Sequence, residues 1–128
     1  MLLLKDILLL RSGIINEPIS RKENSIIERC ISKDGAPSVT HYEVIDEKEI
    51  NNIKISKVKC TLETGRTHQI RVHMSYIGHP LLGDDLYGGN TTLISRQALH
   101  SSKISFIHPI TKKVVNYEVP VPNDLLIF

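Results

Sequence analysis

Tryptophan is absent from the 128 residues and cysteine nearly so, with Cys30 and Cys60 the only thiols. The pair stands in no metal-ligand or redox spacing, which argues against a disulfide framework, a zinc site and a redox motif. Both read as reduced thiols of a cytoplasmic protein. No apolar run approaches the roughly 18 residues that a membrane-spanning helix needs. The apolar start "MLLLKDILLL" is interrupted by Lys5 and Asp6 and is followed by no small-residue cleavage site, so neither export nor membrane insertion is expected. A dominant charge is lacking too. A net charge of +2 permits nucleic-acid binding without demanding it, and any basic surface must be local.

What remains is the balance of a globular protein, 41% hydrophobic and 23% charged. The length suits one domain over residues 1–128, without room for a second independent core. Period-two alternation with β-branched content marks strands in "APSVTHYEVID" and "KVKCTLET". The second places Val58, Cys60 and Leu62 on one face and Lys57, Lys59, Thr61 and Glu63 on the other. The polar stretch "DEKEINN" between them predicts a turn, and hence an antiparallel hairpin. A second hairpin is predicted near the end, from Ile104 and Phe106 to Val115, Tyr117 and Val119. The segment "RSGIINEPISRKENS" reads as loop with short extended pieces.

Chemistry concentrates in residues 62–89, "LETGRTHQIRVHMSYIGHPLLGDDLYGG", which hold two arginines, three histidines, two aspartates and five glycines. Ile70, Met74 and Ile77 recur as one stripe of a helix starting near Thr67, with Gly78 as its stop and Pro80 beyond. On that helix Arg71 lies on the flank of the stripe, near His68 and Ser75, while Val72 points elsewhere. Its planar fork suits a carboxylate or a phosphate. From local physics a structural salt bridge and anion recognition both stand open, because Arg66 and Thr67 sit at the helix N-terminus, where free N–H groups attract anions.

Other chemistries fit less well. His68, His73 and His79 are five and six residues apart and do not stack as helical metal ligands, so no metal site is expected. Asp84 and Asp85 are adjacent and do not converge on one bond, which assigns them to loop capping and turn formation. Gly83, Gly88 and Gly89 lack the Lys-Ser/Thr ending of a phosphate loop. No nucleophilic serine elbow or workable Cys-His pair is present.

The run from Leu62 to Gly89, with "RQALHSSKISFIHP" downstream and "EPISR" and "GAPSVTHYEVI" upstream, resembles the C-terminal half of the RluA-type RNA pseudouridine synthases across residues 13–124. The resemblance implies an α+β fold, a mixed and mostly antiparallel sheet with flanking helices, serving an RNA cleft without metal or organic cofactor. It implies isomerisation of uridine in ribosomal or transfer RNA, with the base turned out of the strand. In that family an aspartate within His-Arg-Leu-Asp is catalytic, a tyrosine packs on the base, and a basic residue matching Arg71 holds the aspartate ionised. Arg66, Thr67, His68 and Gln69 become the expected RNA contacts.

One departure from the pattern bears on activity. Asp6, Asp34, Asp46, Asp84, Asp85 and Asp124 are all the aspartates, and none sits in a His-Arg-Leu-Asp context. The chain therefore reads as the C-terminal portion of a synthase catalytic domain, inactive alone. Its alternatives are a non-catalytic RNA-binding module or a partner completing a separate N-terminal half. An unpaired sheet edge would favour self-association or pairing with such a half.

Overall fold

The computed structural model describes residues 2–5, 11–25, 27–91, 93–94, 96–99, 103–107 and 114–118, the first and the last two of these stretches by backbone course alone. The strands are β1 (Leu2–Lys5), β2 (Ser12–Asn16), β3 (Ile19–Arg21), β4 (Arg29–Ile31), β5 (Val39–Ile50) and β6 (Ile53–Leu62). They are followed by the helix α1 (Gln69–Tyr76), a 3-10 turn (Asp85–Tyr87), β7 (Lys103–Ile107) and β8 (Val114–Glu118). The main sheet runs β1-β6-β5-β2, and β3-β4 and β7-β8 form two-stranded sheets. Every described pairing is antiparallel, so the chain has the expected α+β class.

The β5-β6 hairpin forms as predicted, with Tyr42 opposite Cys60 and Val44 opposite Val58. Its turn is much shorter than "DEKEINN" suggested. β5 continues to Ile50, and Asn51 and Asn52 alone reverse the chain at φ of 51° and 65°. Two left-handed residues are what the tight turn matching strand twist requires, and asparagine tolerates that region. The charged residues do not end the strand because they find opposite charges across it: Asp46 faces Lys57, and Glu49 faces Lys54. A register shift between Val44 and Asp46 leaves Ile45 exposed.

Ile15, Tyr42, Val44, Val58, Met74 and Leu81 form one apolar cluster, and Ile55, Leu82, Ile94 and Ala98 a second. The face predicted for β6 is buried only in part. Val58 is enclosed and Cys60 half-buried, but Leu62 is exposed where the strand leaves the core. At the β2 edge Gly13 pairs with Tyr42, whose ring occupies the space a side chain would take: a Cβ there would sit 2.8 Å from the hydroxyl oxygen.

The helix differs from expectation in start and orientation. His68 adopts left-handed φ of 55°, which delays regular helix to Gln69. The buried face carries Gln69, Val72, His73 and Met74. Ile70 and Ile77 are half-buried, and Val72, expected to point away from the core, is inside it. The rotation follows from polar bonds made by Gln69 and His73, which an apolar stripe does not register. The stop is as predicted. Gly78, at φ of 88°, donates its N–H to the Ser75 carbonyl and His79 donates to that of Met74, the paired bonds of a Schellman ending.

The β7-β8 hairpin pairs Ile104 with Tyr117 and Phe106 with Val115 as predicted; Val119 lies outside the described residues. Among the described residues no helix is long and apolar enough to cross a membrane.

Candidate functional site

The turn between β6 and α1 is organised by Gln69. Its Oε1 accepts hydrogen bonds from the Thr64 hydroxyl at 2.7 Å and the Arg66 backbone N–H at 3.0 Å. Its Nε2 donates to the Val39 carbonyl at 2.9 Å and to Thr40 Oγ1 at 3.0 Å. The amide is thereby fully used, and at 3% exposure Gln69 is withdrawn from solvent. In this position it clamps "TGRTHQ" onto the start of β5.

His73 extends the same network. Thr40 Oγ1 and His73 Nδ1 are 2.8 Å apart, and His73 Nε2 lies 2.9 Å from the Glu17 carbonyl. Because a carbonyl only accepts, Nε2 carries the proton, and Nδ1 accepts from the threonine. Burial pushes the imidazole pKa below its ordinary value, against the opposing bond to Glu17. His73 is a neutral core histidine satisfied by hydrogen bonds. Among the described residues no cluster of His, Cys, Asp or Glu has the makings of a metal site.

Arg71 meets Asp84. Nε donates to Oδ2 and Nη2 to Oδ1, both at 2.9 Å, a planar two-bond pairing. Asp84 is 1% exposed and Arg71 14%. The pairing raises the Arg71 pKa, with the hydrogen bond to Asp84 the largest cause. The guanidinium also lies 5.1 Å from the centroid of the Tyr87 ring, a cation–π distance. Asp84 was expected to serve loop capping and turn formation, and for Arg71 a structural salt bridge and anion recognition both stood open; the salt bridge is present. Each holds the other. Asp85 points to solvent, so the two neighbours form no acid-base pair.

The loop that delivers Asp84 depends on glycine. Gly83 has φ of 76°, and a Cβ there would run into the Arg96 carbonyl. Just beyond, Tyr87 ties three elements together. Its hydroxyl accepts from the Arg29 backbone N–H at 2.9 Å and meets His68 Nδ1 at 2.7 Å, and its carbonyl accepts from Ser75 Oγ at 3.0 Å. The His68 and Tyr87 rings meet edge to face at 5.7 Å. Desolvation, then the Arg71 charge, lowers the His68 pKa, and desolvation raises that of Tyr87. The proximity of Arg71, His68 and Ser75 expected from helix geometry is thus real, with the Asp84–Tyr87 segment as the surface they share. Sequence reasoning missed Tyr87; a tyrosine inside a glycine-bounded loop beside an aspartate was its only signal.

A shallow cavity of about 390 Å³ opens over this assembly, lined by Arg66, His68, Gln69, Ile70 and Arg71 with Leu62, Gln97 and Leu99. Side-on pairing through Nε and Nη2 leaves the Nη1 side of the Arg71 guanidinium turned away from Asp84. The site is a hollow of mixed lining, with Leu62, Ile70 and Leu99 beside cationic, imidazole and amide groups, and its arginine is fixed in direction.

Comparison with known proteins gives this geometry a family. The profile described as RNA pseudouridylate synthase matches residues 6–76. The chain is similar to the uncharacterized RNA pseudouridine synthase YjbO of Bacillus subtilis (strain 168), 51% identical over 113 residues that cover 88% of this chain and 38% of that protein. It is similar to ribosomal large subunit pseudouridine synthase D of Buchnera aphidicola subsp. Schizaphis graminum (strain Sg), 42% identical over 134 residues, covering 91% and 41% respectively. Among solved structures, human RNA pseudouridylate synthase domain containing 1 superposes with a TM-score of 0.76 at 29% identity, covering 93% of this chain and 52% of that one. The chain spans about 38% to 41% of the length of these curated relatives. By profile, sequence and fold, it belongs to the RNA pseudouridylate synthase family, in its RluA-type branch.

Proposed function

We propose that the chain is the arginine-bearing portion of a cytoplasmic synthase that isomerises uridine to pseudouridine in ribosomal or transfer RNA, and that it is inactive alone. The observation that carries this reading is the fixed Arg71 at the margin of the cavity. Asp84 and Tyr87 hold its guanidinium in place and leave one side of it for a second carboxylate. In the family's reaction the N1–C1′ bond of uridine breaks, the base turns, and C5 bonds to C1′ with loss of its proton. That requires a positioned carboxylate, and a pre-oriented arginine beside it keeps it ionised. None of the six aspartates occurs in the family's His-Arg-Leu-Asp context, and Asp84 is committed to the fold. The catalytic aspartate therefore comes from polypeptide outside these 128 residues, joined to it or supplied as a partner. Arg66, Thr67 and His68 are the RNA contacts, with Gln69 acting through the turn it organises.

Tritium release from C5-labelled uridine tests the reading. The isolated chain is expected to release none, and an assembly that adds a His-Arg-Leu-Asp-bearing portion is expected to release tritium in an Arg71-dependent manner. In that assembly Arg71→Ala removes most turnover and less of the RNA affinity; equal losses in both would make Arg71 a phosphate-positioning residue instead. Turnover by the unassisted chain that disappears with Asp85→Ala would refute the assignment. Asp85 is the informative position because it is exposed and Asp84 is structural.

A further inference from the structure

The β3-β4 hairpin carries an arrangement that the fold does not explain. Arg21 and Arg29 are direct cross-strand partners, so their side chains leave the same face of the hairpin, where like charges repel. Both line one cavity of about 340 Å³, together with Arg66 from the turn before α1, and with Ser20, Gly65 and Thr67. Among the described residues no acidic side chain lines it. Glu28, beside Arg29, is engaged by Lys22 at 3.3 Å. Arg29 Nη1 is buried and, among the described residues, has no hydrogen-bond partner. Leaving a cationic donor in that state is costly.

The cluster is also held in place. The Arg29 backbone N–H bonds to Tyr87, which fastens the hairpin to the segment that anchors Arg71. Arg66 Nε donates to the Pro37 carbonyl at 3.0 Å, which fixes the stem of that side chain. Arg66 lines this cavity and the one beside Arg71, so the two hollows adjoin. Three arginines lining one concave surface, with no acidic residue among its described lining, match the oxygens of a phosphate.

We propose that Arg21, Arg29 and Arg66 bind an internucleotide phosphate of the RNA strand whose uridine occupies the neighbouring cavity. The naming of RNA as the ligand rests on the pseudouridylation reading; the anion site rests on the arginine geometry. Arg21 and Arg29 lie outside the "TGRTHQIR" segment and extend the RNA-binding surface onto a separate hairpin. A phosphate held there fixes the strand one step from the turned-out base, and contributes position without sequence preference.

The test is fluorescence anisotropy of a labelled single-stranded oligoribonucleotide, titrated with the chain between about 50 and 200 mM salt. Arg21→Gln and Arg29→Gln are each expected to lower the log–log salt slope by about 0.7 and to weaken binding roughly fivefold near 0.1 M salt, as loss of one single-strand phosphate contact implies. Lys54→Gln, at the far end of the β5-β6 hairpin, is expected to change neither. Arg21 is exposed, so its variant remains informative even where Arg29→Gln impairs folding. Unchanged affinity and slope in Arg21→Gln would overturn the phosphate site and leave the pseudouridylation reading standing. Absence of RNA binding by the wild-type chain at the lowest salt would likewise overturn the phosphate site, the reaction being tested separately by tritium release in the assembly. Impaired variants, combined with an assembled enzyme that forms no pseudouridine, would support the site and sink the reaction.

Discussion

The Arg71–Asp84 pair makes an asymmetric prediction about stability. Asp84 is 1% exposed and Arg71 14%, so removing the arginine strands a carboxylate with almost no access to water, whereas removing the carboxylate's charge leaves a cation that still reaches solvent and the Tyr87 ring. Breaking a buried pair by deleting one partner costs about 3–5 kcal/mol, because the surviving charge is uncompensated. Arg71→Met, which keeps an apolar stem over the core, is expected near that range. Asp84→Asn keeps one carbonyl acceptor and loses charge-assisted bonding, a loss of about 1.5–3 kcal/mol. The double variant is expected to be more stable than Arg71→Met alone, since the second change removes the stranded charge. Against a total stability on the order of 5–15 kcal/mol for a domain, Arg71→Met alone lowers the melting temperature by about 10–20 °C. Urea unfolding at neutral pH, arranged as a double-mutant cycle, measures the coupling. A loss below about 1 kcal/mol for Arg71→Met, or no recovery in the double variant, would mean that the pair behaves as a surface ion pair and that Arg71 is not held as described.

Further outcomes follow from the same geometry. The folded pKa of His73 lies below its unfolded value, so the unfolded chain takes up the proton first: stability is complete above about pH 6.5 and falls as pH drops through that value, by at most about 1.4 kcal/mol per pH unit for this group. Thermal melts across that interval check this, and His73→Gln should flatten the profile; a variant curve parallel to wild type would assign the acid sensitivity elsewhere. Gly83→Ala forces a Cβ onto the Arg96 carbonyl at a left-handed backbone position and should destabilise by more than about 1 kcal/mol, read by urea midpoint. Asn52→Gly should leave stability equal or slightly raised, because glycine adopts φ of 65° without strain, whereas Asn52→Val should lower it. The edge strands β1 and β2, with Ile14 63% exposed on β2, predict concentration-dependent association of the chain by sedimentation; a monodisperse monomer at high concentration would contradict it.

Period-two alternation was enough to locate β5, β6 and the final hairpin; in β5 and β6 it reflects one face on an apolar layer and one toward solvent. It failed at the turn, where "DEKEINN" reads as loop by composition although Asp46 and Glu49 face Lys57 and Lys54 across the strands. Charge complementarity between strands is a pairwise property, and a one-residue-at-a-time reading of polarity does not contain it. The same limit explains β3 and β4, three residues each, which are too short to show a period.

The helix shows the limit in a form that matters for chemistry. By sequence Ile70, Met74 and Ile77 mark its buried stripe, because apolar residues normally mark the inside. The interior instead admits Gln69 and His73, since Thr40, Thr64, Val39 and Glu17 supply every bond those side chains need. Once these partners exist, burial costs the polar residues little and the helix rotates to take them in. That rotation brings Val72 into the core and leaves Arg71 on the side where the glycine-bounded loop returns with Asp84. The flank position of Arg71 was therefore legible from helix geometry, but its partner was not: the pairing depends on a loop whose course is set by Gly83 and by the closing bond from the Gly89 N–H to the Asp84 carbonyl. Fixing an arginine this firmly from one side leaves its free side as the variable element, and what approaches that side is what separates a structural ion pair from a catalytic one.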